Sequence, residues 1–266
     1  LKDHQLRLHA QFLDVRGISA ETALSALNVW QYPASLDRDT CALSNASEGV
    51  AGVSKNRFRM KMLDVGPLRV RTGTRDLSLE PRRIPDLSRT FSGVVYGLDE
   101  TMRSSRPESL RRPPLPYRPG SRYQFSAPGG RETRGFDVSM VAPRPISIID
   151  IAQASEADDW GHLGGRSAVR IEWRSPNESI ESGAAGDVFV DVASGGSGEH
   201  LTCRLVNDGA FSLPSELVAE VAGGEEALTF VLRRVTSRAL DVAEMGETRL
   251  TLSATDLRRV RVDSLL

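Results

Sequence analysis

The sequence is poor in the residues on which several classes of protein depend. Aromatic residues make up 6% of the 266 positions, and there are two cysteines and four histidines. No stretch approaches the ~18 consecutive apolar residues of a membrane helix, so we expect no transmembrane segment. The composition also excludes collagen, a coiled coil and a disulfide-dense miniprotein. Few aromatic rings are available to stack on bases, which argues against a nucleic-acid partner.

Hydrophobic and charged residues are abundant enough to build a folded protein, at 39% and 26%. A length of 266 residues predicts one large domain or two modest ones. Residues 1–145 carry 23 Lys and Arg against 15 Asp and Glu, a net charge of +8, whereas residues 146–266 carry 11 against 20, a net of −9. Such opposite halves indicate either two domains that attract each other or a basic half directed at an anionic partner.

Short segments of alternating apolar and polar residues, separated by Gly, Pro, Asn and Asp, predict an all-β fold. The predicted strands lie within residues 6–12, 58–62, 68–79, 92–96, 123–140, 169–173, 188–192, 201–213, 228–232, 250–252 and 260–262. Hairpins are predicted within 68–79, 123–140 and 201–213, the last around the turn at 207–209. One short helix is predicted over residues 20–28, and residues 214–221 are long enough for a helical turn.

These elements predict two β-sandwich domains, the second of them immunoglobulin-like, with the short helix in the first. The first domain covers residues 1–145 and the second 146–266, with the boundary near 143–145, where the sign of the charge changes. Residues 103–119 contain five arginines and five prolines, which predicts an extended surface loop in the basic domain. Candidate residues for binding an anion or a partner there are Arg103, Arg106, Arg111, Arg112 and Arg118.

Three runs of sequence carry a resemblance to a family. They are YQFSAPGGRETRGFDVSMVAPRPISI (123–148), VRIEWRS (169–175) and HLTCRLVNDGAFSLPSELV (200–218). From about residue 63 onward the chain resembles uncharacterised exported bacterial proteins, often lipoproteins, that are built of tandem β-sandwich modules. The resemblance implies a fold and an exported location, and it brings no catalytic residues. Members that are lipoproteins imply a lipid anchor, which would lie outside residues 1–266.

The two cysteines, Cys41 and Cys203, lie in no metal-binding or redox motif. Such an isolated pair is compatible with one disulfide in an exported protein or with two buried free thiols. Since Cys41 lies in the basic half and Cys203 in the acidic half, a bond between them would join the two predicted domains.

The strongest candidates for a metal or acid–base site are Asp158, Asp159 and His162, in an acidic loop. Asp187 and Asp191 lie on one face of a single predicted strand, ~13 Å apart, which is too far to share one ion. No metal-binding motif has the required spacing, so a solvated acidic loop remains the alternative to a structural divalent cation. The sequence contains no GxSxG and predicts no catalytic residues.

These observations predict a non-catalytic, exported β-sandwich protein of the periplasm, the outer-membrane surface or the extracellular space. The chain begins at Leu1, so we expect a processed or trimmed product. Its partner would be another surface protein or a polysaccharide, and no cofactor is expected. Two alternatives remain, namely a carbohydrate- or polyanion-binding module that uses the Arg-rich loop and a metal-assisted hydrolase.

Overall fold

The computed structural model describes residues 9–16, 35–45, 59–84, 91–97, 117–130, 133–153, 168–175, 186–195, 199–241 and 247–265. These residues form mostly strands, which confirms the all-β prediction. The first ten strands are β1 (His9–Gln11), β2 (Leu13–Arg16), β3 (Thr40–Asn45), β4 (Arg59–Met62), β5 (Leu68–Thr72), β6 (Arg75–Leu79), β7 (Arg82–Ile84), β8 (Phe91–Gly97), β9 (Arg122–Gly129) and β10 (Arg134–Val141).

The remaining strands are β11 (Ser147–Gln153), β12 (Ala168–Arg174), β13 (Asp187–Ser194), β14 (Glu199–Leu205), β15 (Ala210–Pro214), β16 (Ala227–Asp241) and β17 (Glu247–Arg261). Helix α1 (Ser215–Ala222) lies between β15 and β16, and a 3₁₀ turn (Val262–Ser264) follows β17. Helix α1 occupies the segment for which a helical turn was predicted, and it ends at Gly223, whose φ of +52° suits glycine. The helix predicted over residues 20–28 lies outside the described residues.

The chain groups into two compact units, each made of several segments. Unit 1 comprises Leu1–Ala23, Val53–Ala142 and Arg238–Leu250, and unit 2 comprises Leu24–Gly52, Pro143–Ser237 and Thr251–Leu266. The chain passes from unit 1 to unit 2 between residues 142 and 143, close to the domain boundary predicted at 143–145. Unit 2 includes β3 because β3 pairs with the distant strand β14, which local patterns do not reveal. The divisions after residues 237 and 250 fall inside the long strands β16 and β17.

Unit 1 contains two sheets. One has the order β1-β8-β4-β2, with β7 also paired to β8, and the other is an antiparallel sheet with the order β10-β9-β5-β6. The hairpins predicted within 68–79 and 123–140 are confirmed as β5–β6 and β9–β10. Along β5 the side chains of Leu68 and Val70 are buried whereas Arg69 and Arg71 are exposed, because successive side chains of a strand point to opposite faces.

The turn after β9 is held against the segment that precedes β5. Gly129 donates its N–H to the carbonyl of Val65 (3.0 Å), and the Thr133 hydroxyl donates to the Asp64 carbonyl (2.9 Å). A Cβ atom placed on Gly130 would come within 1.9 Å of the Asp64 carbonyl oxygen. The glycine at this position is therefore required by a close backbone approach.

Unit 2 is a two-sheet sandwich. A three-stranded sheet, β11-β12-β15, faces the five-stranded sheet β17-β16-β13-β14-β3. Between them lies one continuous apolar core, which includes Ile171, Trp173, Leu201, Leu213, Leu228, Phe230 and Leu232. Helix α1 contributes Val218 and Val221 to the same core.

The prediction of a hairpin within residues 201–213 is wrong. Strand β14 pairs with β13 and β3, whereas β15 pairs with β12 in the opposite sheet. The turn between them spans the sandwich and is fixed to Trp173, whose backbone N–H donates to the Gly209 carbonyl (2.8 Å) and whose indole N–H donates to Asn207 Oδ1 (3.1 Å). Residues 250–252 and 260–262 were predicted as separate strands, but 250–252, 260 and 261 all belong to the single long strand β17.

The two edge strands β11 and β17 are bonded to each other through side chains. Asp256 Oδ2 accepts the N–H of Ile148 (2.9 Å), and Arg258 donates to the carbonyls of Ile148 and Ile149. The register of β11 shifts between Ile148 and Asp150, at the same place. These contacts satisfy backbone groups that an irregular edge strand would otherwise expose.

Candidate functional site

Cys41 and Cys203 form a disulfide bond, with an S–S distance of 2.09 Å. The two residues lie directly opposite each other on the adjacent strands β3 and β14. Sequence reasoning expected such a bond to join two domains, and this expectation is wrong, because β3 belongs to the same five-stranded sheet as β14. The bond secures the edge strand of unit 2, and Cys203 is fully buried in the core of that unit.

The segment before β3 is also attached to β14. The N–H of Asp39 donates to the Arg204 carbonyl (2.7 Å), and Asp39 Oδ1 accepts the N–H of Val206 (2.9 Å). The guanidinium of Arg204 donates to the Leu36 carbonyl (2.9 Å). Edge strand β3 is therefore held by a covalent bond and by polar contacts at its start.

The carboxylates on the outer face of this sheet are bonded to basic or polar side chains. Asp187 forms an ion pair with Arg204 (2.9 Å). Asp191, whose side chain is only 12% exposed, forms one with Arg233 (2.7 Å) and also accepts the Thr202 hydroxyl (2.8 Å). In the described residues no group of three or more His, Cys, Asp or Glu side chains could hold a metal ion. These pairs stabilise the packing of β13 against its two neighbours.

A further polar pair on this sheet joins β3 and β14 and was not predicted from the sequence. Ser44 Oγ and His200 Nε2 lie 2.8 Å apart on directly opposite positions of β3 and β14. A serine–histidine hydrogen bond is the first element of a nucleophile–base pair, which also needs an orienting acid and an oxyanion hole. Ser44 carries no local signal in the sequence, because only the pairing of β3 with the distant strand β14 places it beside His200.

Most of the predicted site residues lie outside the described part of the chain. These are the metal candidates Asp158, Asp159 and His162 and the loop arginines Arg103, Arg106, Arg111 and Arg112. Arg118 is described, and it is exposed at the turn before β9. Its backbone N–H donates to the hydroxyl of the buried Tyr123 (2.8 Å), which holds this turn at the end of the sheet.

Three further exposed arginines lie on the outer face of the four-stranded sheet of unit 1, and we call them the arginine strip. They are Arg69 and Arg71 on β5 and Arg122 on the adjacent strand β9. Arg69 lies opposite Ser126 and Arg71 opposite Gln124, so all three arginines follow the central pair of strands. Alternation along each strand could have shown that they are exposed, but it could not have shown that they are neighbours.

Acidic side chains flank the arginine strip on the two outer strands. On β6, Asp76 lies 3.7 Å from Arg71 in an ion pair whose side chains are 46% and 57% exposed respectively. On β10, Asp137 accepts both of its hydrogen bonds from Gln124 (2.8 and 2.9 Å). The face is therefore positive along its centre and negative along both margins.

A buried tyrosine in unit 1 has a strongly shifted pKa. The Tyr96 hydroxyl accepts the N–H of Val65 (2.9 Å) and donates to Asp64 Oδ1 (3.3 Å), and its ring packs edge-to-face on Phe12. Burial, together with the negative charge of Asp64, raises the pKa of Tyr96 from 10.0 to about 12. The hydroxyl is thus a neutral structural link between β8 and the segment before β5.

The geometry defines a class of protein, namely an all-β, disulfide-bonded protein whose units are built of paired sheets. No helix among the described residues is long and apolar enough to cross a membrane. A scan against protein-family models matches no family, and a search of curated proteins finds no significant match. A function for this protein is therefore inferred from the chemistry of its own residues.

Proposed function

We propose that the chain is a non-catalytic, exported β-sandwich protein that binds or holds a partner in the periplasm, at the outer-membrane surface or outside the cell. The proposed partner is another surface protein or a polysaccharide.

The disulfide between Cys41 and Cys203 is the observation that carries this proposal. Disulfides persist in oxidising compartments and are rare in the reducing cytosol. This one secures an edge strand to the core of unit 2, where loss of the bond would release β3 from β14. A protein whose edge strand is attached by a disulfide is best stabilised in an oxidising, exported location.

The arrangement of polar residues supports binding over catalysis. Asp187 forms an ion pair with Arg204, and Asp191 forms one with Arg233. Carboxylates held in such ion pairs suit a structural role better than a role as general acid or base. The arginine strip, in contrast, presents exposed cations on a regular sheet face. This strip favours polyanion binding as the second candidate function, in which the Arg-rich loop at 103–119 would also take part.

The experiment that tests the location is expression with and without an added signal sequence in a bacterial host, followed by thiol alkylation and intact mass measurement. We expect the exported protein to carry no alkylated cysteine until it is reduced. In a host that lacks the periplasmic disulfide oxidase, we expect rapid proteolysis of the exported protein.

Two results would contradict the proposal. The first is a purified native protein in which both thiols react with the alkylating agent without prior reduction. The second is stoichiometric bound metal together with hydrolysis of an ester or phosphoester substrate that the double variant Asp158→Asn/His162→Ala abolishes, which would favour the metal-assisted hydrolase instead.

A further inference from the structure

The outer face of the four-stranded sheet β10-β9-β5-β6 combines a central row of cations with side chains that carry hydroxyl and amide groups. We propose that this face binds a linear acidic polysaccharide along the arginine strip, Arg69, Arg71 and Arg122. The inference rests on the proposed binding role, and it adds the face used and the chemical class of the partner.

The spacing of the arginine strip suits a chain-like anion. Arg69 and Arg71 are two residues apart on one strand, which places their Cα atoms ~6.8 Å apart, and adjacent strands are ~4.8 Å apart. Arg122 continues the row beyond Arg71, because Arg71 lies opposite Gln124 and Arg122 is two residues before it. Exposed Arg118 precedes Arg122 at the same end of the sheet and extends the positive charge.

The acidic margins argue for a narrow ligand. Asp76 on β6 and Asp137 on β10 lie on either side of the strip, and Glu80 is fixed near β6 by a hydrogen bond from Ser78 (3.0 Å). A flat anionic surface, such as a membrane, would meet these carboxylates as well as the arginines and be repelled by them. A single polymer strand can follow the central pair of strands and avoid both margins.

The polar side chains around the arginines suit sugar hydroxyls. Ser126 and Gln124 lie beside the arginines on β9, and Ser78 lies opposite Arg69 on β6. Ser78 and Gln124 already donate to Glu80 and Asp137, so their oxygen atoms serve as acceptors for sugar hydroxyls, while guanidinium groups bind carboxylates and sulfates in a bidentate manner. The aromatic residues of β9 point inward, since Tyr123 and Phe125 are buried. The face therefore offers no ring for a nucleic-acid base from this strand.

The charge of the unit agrees with an anionic partner. The segments of unit 1 carry 23 Lys and Arg against 15 Asp and Glu, a net charge of +8, and those of unit 2 carry 11 against 20, a net of −9. A positive unit attracts a polyanion at long range and raises the rate of encounter, with a strong dependence on salt.

The test measures binding of the full chain to immobilised heparin and polygalacturonate, as a sulfated and a carboxylated probe, with neutral dextran as a blank. The variant is Arg69→Thr/Arg71→Thr/Arg122→Thr, since threonine is favoured in strands. The matched control, Arg82→Thr/Arg174→Thr/Arg259→Thr, removes three exposed arginines elsewhere and the same net charge. Unfolding in urea verifies that both variants remain folded.

We expect the wild type and the control to bind at least one acidic probe, and the strip variant to bind it roughly tenfold more weakly or worse, with a shallower dependence on salt. Equal losses in both variants would overturn the proposal, because binding would then depend on net charge alone. An absence of binding to both acidic probes at low salt would also overturn the proposal. So would binding to single-stranded DNA or to anionic vesicles that is tighter than binding to either acidic polysaccharide.

A last measurement separates this inference from the proposed function. The length distribution of each polysaccharide is compared before and after incubation with the protein. Cleavage that depends on the protein would refute the non-catalytic function, whereas intact polysaccharide that does not bind refutes only the role of the arginine strip.

Discussion

Reduction of the bond between Cys41 and Cys203 is expected to destabilise the protein substantially. The two residues are 162 positions apart. For a loop of that length, the chain-entropy relation gives an upper value of about 5 kcal/mol for the free energy of unfolding, although native disulfides often contribute less. The loss of stability should be largest in unit 2, because the bond attaches edge strand β3 to the buried strand β14.

The assay is equilibrium unfolding in urea, followed by circular dichroism and by tryptophan fluorescence, with and without reductant. Trp173 lies in the core of unit 2 and its fluorescence reports on that unit. After reduction we expect a lower urea concentration at the unfolding midpoint. We also expect the free energy of unfolding to depend more steeply on urea, because the unfolded chain is less compact without the cross-link. The double variant Cys41→Ala/Cys203→Ala should behave like the reduced protein and should not respond to reductant.

Two results would refute this reasoning. If the oxidised and reduced proteins unfold at the same urea concentration with the same slope, the bond does not constrain the unfolded chain. If reductant lowers the stability of the double variant as much as that of the wild type, the effect does not come from the disulfide.

Three further predictions concern single contacts. Since burial raises the pKa of Tyr96 to about 12, its neutral form should contribute about 2–3 kcal/mol to the free energy of unfolding. This contribution is present below pH 10 and is lost as the pH rises towards 12, which urea unfolding across that range measures. Gly130→Ala should lower the free energy of unfolding by about 1–3 kcal/mol, because the new methyl group would collide with the Asp64 carbonyl oxygen. Arg258→Ala should cost about 1 kcal/mol by releasing the Ile148 carbonyl, and should promote self-association that light scattering detects.

Matched variants provide the controls. The stability difference between wild type and Tyr96→Phe should shrink as the pH rises above 10, and a constant difference would contradict the titration. Gly73 has a φ of +55° and open space around its Cβ position, so Gly73→Ala should cost only the ~1–2 kcal/mol of a left-handed residue and involve no collision. Arg259→Ala, on an exposed neighbour of Arg258, should change neither stability nor association.

The sequence alone was sufficient where the structure depends on neighbouring residues. The hairpins β5–β6 and β9–β10 were predicted because each is a local pairing of two alternating segments around a turn that contains glycine. The turn at 207–209 has the same local signal, but its residues bond to Trp173 in the opposite sheet, and so the predicted hairpin was wrong.

For the candidate sites, the sequence determined which residue types are available and the tertiary structure decided which of them meet. Alternation along β5 and β9 determines that Arg69, Arg71 and Arg122 point away from buried neighbours. Only the pairing of β5 with β9 makes them one strip, and only the pairing of β3 with β14 brings Cys41 to Cys203. Pairing between distant strands depends on packing of the whole core, for which no short window of sequence carries the information.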